Sequence, residues 1–332
     1  MKKVSYLIYL WLVCCLGLQA QSRREMGGIY YAYPVTDAAG TDSTAVKAPA
    51  GFSPYYISHY GRHGSRWMSR DERYLWIEKQ FADDDNLTPL GLQIKGIVKR
   101  ICENAKGNGG KLTRLGELQH QAIARRMYAH YPQIFAAGHQ VKARSSVSNR
   151  CAKSMLAFTS QLRSLQPQLH LDVKTDSADM AWIAYESPEL KALKKRTKVK
   201  AQVSPRRFLQ QLFKNTAKID EPLKLMNEMY GLTSSLQDVG LNFPAYPQEM
   251  EDSLNALFTD AEFRAIYEAN NLRMNITNGS MATNEEIPAR SAISLWQNIE
   301  TEADAALRSS QSSATLRFGH DTALYRLLSL LF

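Results

Sequence analysis

The pattern that most restricts the fold is a set of β-prone runs, each ending on a polar or charged tip and leading into helix-compatible sequence. Tyr55-Tyr56-Ile57-Ser58-His59-Tyr60 stops at Gly61 and runs on into Arg62-His63. A short strand is predicted from Gln140 to Arg144, another from His170 to Val173, and a last one from Ala314 to Phe318, which ends at Gly319-His320-Asp321. Between them lie amphipathic stretches with apolar residues at steps of three and four. Thr88-Pro89 opens one, as cap and first helical residue, and Ile94, Ile97, Val98 and Ile101 share its face. A second starts near Thr113. A third is capped by Ser148 and repeats Cys151, Met155, Phe158 and Leu162, and a last long one carries Ile293, Trp296, Ile299 and Ala303. Strands alternating with helices predict an α/β fold, with a mostly parallel sheet flanked by helices in three layers.

From 187 to 288 the strand-like alternation disappears and helix-compatible, polar-rich segments take over, which predicts a mostly helical cap inserted into the α/β chain. The expected division is a signal peptide at 1–20, an N-terminal arm at 21–50, a core from 51–186 and 289–332, and the cap at 187–288.

The leader reading rests on Lys2 and Lys3, followed by an apolar run of about fifteen residues and a small residue, Ala20, before Gln21. That run falls short of the roughly 20 residues a membrane span needs. The expected location is therefore periplasmic or extracellular, with no stable membrane span. The 332-residue chain has 41 basic and 32 acidic side chains, a formal charge of +9, and stays basic without its leader, favouring anionic partners without choosing among them. Cys102 and Cys151 remain after the leader and do not make a disulfide scaffold; pairing and separate burial are both open. With no His-Glu-x-x-His pattern, neither metal nor cofactor is expected. The basic run from Lys191 to Arg207 suits either a solvated face or the rim of a pocket for a polyphosphorylated substrate. No stacking-aromatic motif accompanies it, so nucleic acid is not an expected partner.

The chemistry centres on Arg62-His63-Gly64-Ser65-Arg66. Phosphoryl transfer needs an in-line nucleophile and fixed positive charge around the phosphoryl oxygens. Arginine supplies planar, bidentate donors for those oxygens. Cations beside a histidine disfavour its protonation and so keep the imidazole nucleophilic. Arg144 and His320-Asp321 stand at two further strand ends, and ligands of parallel sheets gather at the carboxyl ends of strands. Arg144 could add a third cation, His320 a donor to phosphate, and Asp321 a general acid for the leaving oxygen.

These residues resemble the histidine phosphatase superfamily, and more narrowly its acid phosphatase and phytase branch. The resemblance is carried by Arg62-His63-Gly64-Ser65-Arg66, by Arg144-Ser145-Ser146 with Arg150, by Leu112-Thr113-Arg114-Leu115-Gly116-Glu117 and by His320-Asp321. It implies a metal-free hydrolase of phosphate monoesters working through a covalent phosphohistidine. His63 would be the nucleophile, Arg62, Arg66, Arg144 and His320 the phosphate ligands, and Asp321 the proton donor. Met68 stands where that branch commonly has proline, which bears on the substrate rim. Multiple-position inositol polyphosphate phosphatases typically carry His-Ala-Glu where this chain has His320-Asp321-Thr322, which leans toward the acid phosphatase and phytase pattern. The alternatives are a phytase-like phosphatase of inositol polyphosphates and a phosphate-ester-binding relative without turnover. Relatives usually continue beyond the equivalent of Phe332, so a truncated or divergent core is a further expectation.

Overall fold

A computed structural model describes residues 21–35, 49–309 and 313–332; the leader segment falls outside them. In chain order come β1 (Tyr56–Arg62), α1 (Asp71–Gln80), α2 (Pro89–Ala105), α3 (Arg114–His130), β2 (Gln140–Ser145), α4 (Asn149–Leu165) and β3 (His170–Thr175). There follow α5 (Pro188–Arg196), α6 (Arg206–Leu212), α7 (Pro222–Val239), α8 (Gln248–Ala256), α9 (Asp260–Asn278), α10 (Ile293–Ser309), β4 (Ser313–Gly319) and α11 (Asp321–Leu331), with short single turns between some of them. Thr88 and Thr113 cap α2 and α3 by accepting the amides of Gly91 and Gly116. Ser148 stands at the start of α4 but makes no such bond.

The four strands form one parallel sheet in the order β1-β4-β2-β3. The last strand in sequence thus sits between the first and second, so that β1, β4 and β2 end side by side: Arg62 pairs with Gly319, and Ser145 with Phe318. As the central strand, β4 is covered on both faces and is almost wholly buried. Successive side chains point to opposite faces. Ala314, Leu316 and Phe318 pack with Ala143, Met155, Phe158 and Leu162 into one apolar layer. On the other face Arg317 is fully buried, bonded to Asn298 Oδ1 at 2.8 Å and Ser58 Oγ at 3.0 Å, with its guanidinium over the Trp182 ring. The layer beyond it is built on Leu295, Trp296 and Leu327. The sheet is therefore sandwiched between helices.

Between β3 and β4 the described residues form helices and turns but no strand. The largest apolar cluster joins α6 to α9 with α1, α2 and the arm residues Met26 and Tyr30. Helices α1 and α2, which the sequence places with the sheet, thus pack into the helical body. Trp67 and Met68 are buried in the same cluster, which anchors the far end of the loop after β1. No described helix is long and apolar enough to cross a membrane.

Candidate active site

The loop after β1 crosses the start of α3 at close range. A methyl group added to Gly64 would come within 2.5 Å of Gly116 O, and one on Gly116 within 2.4 Å of Ser65 O, so only glycine fits at either position. Thr113 fixes the same crossing, donating from its amide and its hydroxyl to Ser65 O, both at 2.9 Å. The Gly64 amide donates to Ser154 Oγ and the Ser65 amide to Gln119 Oε1. With Ser154 on α4 at one side and Thr113 and Gln119 at the other, the loop is held from both sides.

His63 is 5 % exposed, and its amide donates to Gly319 O, tying the loop to the end of β4. Its Nδ1 lies 2.8 Å from Gly64 O. A carbonyl can only accept, so the proton resides on Nδ1 and the Nε2 lone pair is left available. Burial, then the charge of Arg62, with smaller contributions from Arg150 and Arg66, hold the His63 pKa far below its ordinary value against the opposing effect of the Gly64 bond. The imidazole is neutral over any physiological range, as a nucleophile requires.

Around it stand three guanidinium groups. Arg62 donates from Nη2 to Ile29 O at 2.6 Å, and its Nε lies 3.3 Å from Asp321 Oδ2, close enough to pair electrostatically but not aligned as a hydrogen bond. Arg66 is buried, bonded to Trp67 O and covered by the Tyr30 ring at 5.4 Å. Arg150, in the first turn of α4, places Nη2 3.4 Å from His320 Nδ1, and its own Nε is buried without a partner. Because arginine only donates, His320 Nδ1 accepts and Nε2–H points to Ser146 Oγ at 3.2 Å. The His320 and His63 rings meet edge-on, 5.6 Å apart. Burial, then Arg150, pushes the His320 pKa down to about 4. Asp321 opens α11 and accepts the Thr322 amide.

Of the six residues singled out from sequence, Arg62, His63, Arg66, His320 and Asp321 are thus brought together. Arg144 is not. Strand β2 runs through Ser145, so Arg144 still lies within the sheet, and its guanidinium reaches sideways to β3: Nη2 is 2.6 Å from Asp172 Oδ2, Nη1 2.8 Å from Asp172 O, and Nε 3.9 Å from Asp179. Its charge is spent on those carboxylates, and Arg150 provides the third cation of the site. A helix-initiating arginine just past a strand end was the available sequence signal.

Sequence reasoning also missed the arm. Residues 22–33 run beside the site: Tyr230 donates to Met26 O, Gln237 Oε1 accepts the Ala32 amide, and Gln119 donates to Tyr33 O. The arm walls a cavity of about 490 Å³ whose lining includes Tyr30, Lys200, Asn227, Asn270, Arg273 and Tyr325. Among the described residues no cluster of potential metal ligands occurs, and Cys102 and Cys151 are free and buried.

The sequence profile of the histidine phosphatase superfamily (branch 2) matches residues 102–331, which takes in Arg150, His320 and Asp321 and begins downstream of His63. No curated protein matches the chain in sequence. Among solved structures, the chain is similar to the multiple inositol polyphosphate phosphatase of Bifidobacterium longum. In complex with phosphate, that protein superposes with a TM-score of 0.68 at 15 % identity, over 89 % of this chain and 76 % of its own. In complex with inositol hexasulfate the values are 0.66 and 17 %, over 90 % and 80 %. The phytase from D. castellii gives 0.62 at 13 % identity, over 92 % of this chain and 67 % of its own. At these identities the likeness is one of fold.

Proposed function

Because the chain belongs to branch 2 of the histidine phosphatase superfamily, and is thus a phosphatase-type hydrolase, we propose that it is an exported phosphomonoesterase working through a phosphohistidine on His63. The observation that carries this reading is the His63 tautomer: Nδ1–H is committed to Gly64 O, which leaves the Nε2 lone pair available among the charges of Arg62, Arg150 and Arg66. An ester phosphate held by those cations presents its phosphorus to Nε2. The N–P bond forms as the ester P–O bond breaks, and Asp321 gives its proton to the departing alcohol oxygen. Water then attacks phosphorus, Asp321 takes a proton from it, the N–P bond breaks and phosphate leaves.

The second reading, an inositol polyphosphate phosphatase, draws on the fold shared with a protein whose structure holds inositol hexasulfate.

The experiment is phosphate release from p-nitrophenyl phosphate and from inositol hexakisphosphate between about pH 4 and about pH 7 with chelator present, for wild type and His63→Ala. Turnover that resists chelation and vanishes in the variant supports the mechanism, and the substrate ratio decides between the readings. Vanadate binding by a folded wild type without turnover would instead make the protein a binder.

A further inference from the structure

The partly buried guanidinium groups of this protein are held in two ways. Arg144 is clasped by the carboxylates of Asp172 and Asp179, and Arg73 by that of Glu228, so the charge of each is matched. Arg66 is buried too, yet among the described residues no carboxylate pairs with it. Its Nη1 donates to Trp67 O at 2.8 Å, and the Tyr30 ring centre lies 5.4 Å from its Cζ. Neither partner carries a charge. A ring face attracts a cation through its quadrupole, most strongly where water is excluded, and leaves the positive charge whole. Water is excluded here, for Tyr30 is itself buried. Its hydroxyl is fixed in turn. Arg73 of α1 donates from Nη1 to Tyr30 Oη at 2.9 Å, and the same guanidinium is locked to Glu228 of α7, its Nε 2.8 Å from Oε2. Helix α7 passes so close that a methyl group on Gly231 would stand 3.0 Å from Arg73 Nη2. The arm takes the neighbouring cation in the same uncharged way, Arg62 Nη2 donating to Ile29 O at 2.6 Å. Two consecutive arm residues thus meet both arginines of the loop after β1.

We propose that Tyr30 is a positioning residue for the anion site: braced by Arg73 and Glu228, its ring holds the Arg66 guanidinium in place without neutralising it. The proposal rests on the reading of Arg66 as a phosphate ligand. A carboxylate in the same place would hold the guanidinium as firmly, but its charge would oppose an incoming anion. An aliphatic side chain would leave Arg66 free to sample other rotamers, and ordering it again would then be charged against binding. The ring avoids both costs, and the Arg73 bond keeps the ring itself from turning away. Tyr30 therefore acts on the ligand through Arg66, and its effect exists only while Arg66 is there to be held.

The test is a double-mutant cycle read by equilibrium dialysis with radiolabelled sulfate on the full chain at one fixed pH. Tyr30→Leu is expected to bind sulfate roughly tenfold more weakly than wild type. In an Arg66→Ala background, itself weakened, the same replacement is expected to cost nothing further. Tyr30→Phe keeps the ring and gives up only the Arg73 bond, so it should recover binding to within about threefold of wild type. A thermal unfolding midpoint for each variant identifies loss of fold. Should Tyr30→Leu fail to fold, the cycle is read on Tyr30→Phe, whose smaller loss should likewise vanish beside Arg66→Ala. The proposal is overturned if Tyr30→Leu binds as wild type does, if it weakens binding equally with and without Arg66, or if Tyr30→Phe is as weak as Tyr30→Leu. Sulfate binding that survives Arg66→Ala undiminished overturns instead the reading of Arg66 as a ligand, and the proposal with it.

Discussion

Replacing Arg150 by alanine is expected to lower kcat/KM by roughly a hundredfold, the scale of losing one preorganised donor to a charged transition state. Arg144→Ala is expected to leave kcat/KM within about twofold and instead cost about 1 to 2 kcal/mol of stability, because Asp172 and Asp179 lose the cation between them. Steady-state kinetics and denaturant unfolding of the two variants separate these outcomes, and a large kinetic defect in Arg144→Ala would place it back in the site. The contrast shows what a sequence can carry at this scale. Arg62 to Arg66 and His320-Asp321 were legible because strand end, turn and chemistry adjoin one another along the chain. Arg144 looked equivalent, yet its direction is set by a partner strand and by Asp172, neither of which local pattern reveals.

At the scale of elements, two threonines play one local part and differ in what rests on them. Thr88 and Thr113 each cap a long helix by accepting an amide in its first turn. Substitution of either by alanine is expected to cost about 1 kcal/mol of stability. Thr88 otherwise bonds Gln211 O in the helical body, whereas Thr113 donates to Ser65 O within the loop after β1. Thr113→Ala should therefore also reduce kcat/KM, by about tenfold, with Thr88→Ala unchanged; equal kinetics in the two would mean the loop does not need its α3 anchor. The Thr88 cap and the helix start near Thr113 were legible, since threonine before a helical face is a local signal. The arm was not: a weakly patterned segment became a wall of the site because Tyr30, Tyr33 and the Ile29 carbonyl find Arg66, Gln119 and Arg62 across the fold.

For the whole molecule, acidity works against the fold. Burial holds His59 and His120 at pKa values of about 4, with Arg317 acting in the same sense on His59 and the neighbouring His59 on His120, and His320 stands at about 4 as well. The unfolded chain takes up these protons near the ordinary value of 6.5, whereas the folded chain does so only near 4. Their contribution to stability is thus whole above about pH 6.5 and is lost as pH falls toward 4, at up to about 1.4 kcal/mol per pH unit for each. His63 acts in the same direction. Asp238 acts in the opposite one: with its folded pKa raised to about 7, its contribution is whole below 3.8 and is lost as pH rises to 7, which offsets only one of the histidines. The balance predicts a thermal midpoint that falls between about pH 7 and about pH 5, so that unfolding trims the acidic limb of the activity profile. His59 isolates the effect. Its ring lies between Phe158 and Phe318, with Nε2 buried and unpartnered. His59→Phe replaces it with a ring that takes up no proton, whatever its packing costs at neutral pH. The drop in midpoint from pH 7 to pH 5 should therefore be smaller in the variant than in wild type, by about 2 kcal/mol of unfolding free energy. Parallel drops in the two proteins would show that His59 is not among the groups through which acid unfolds the chain.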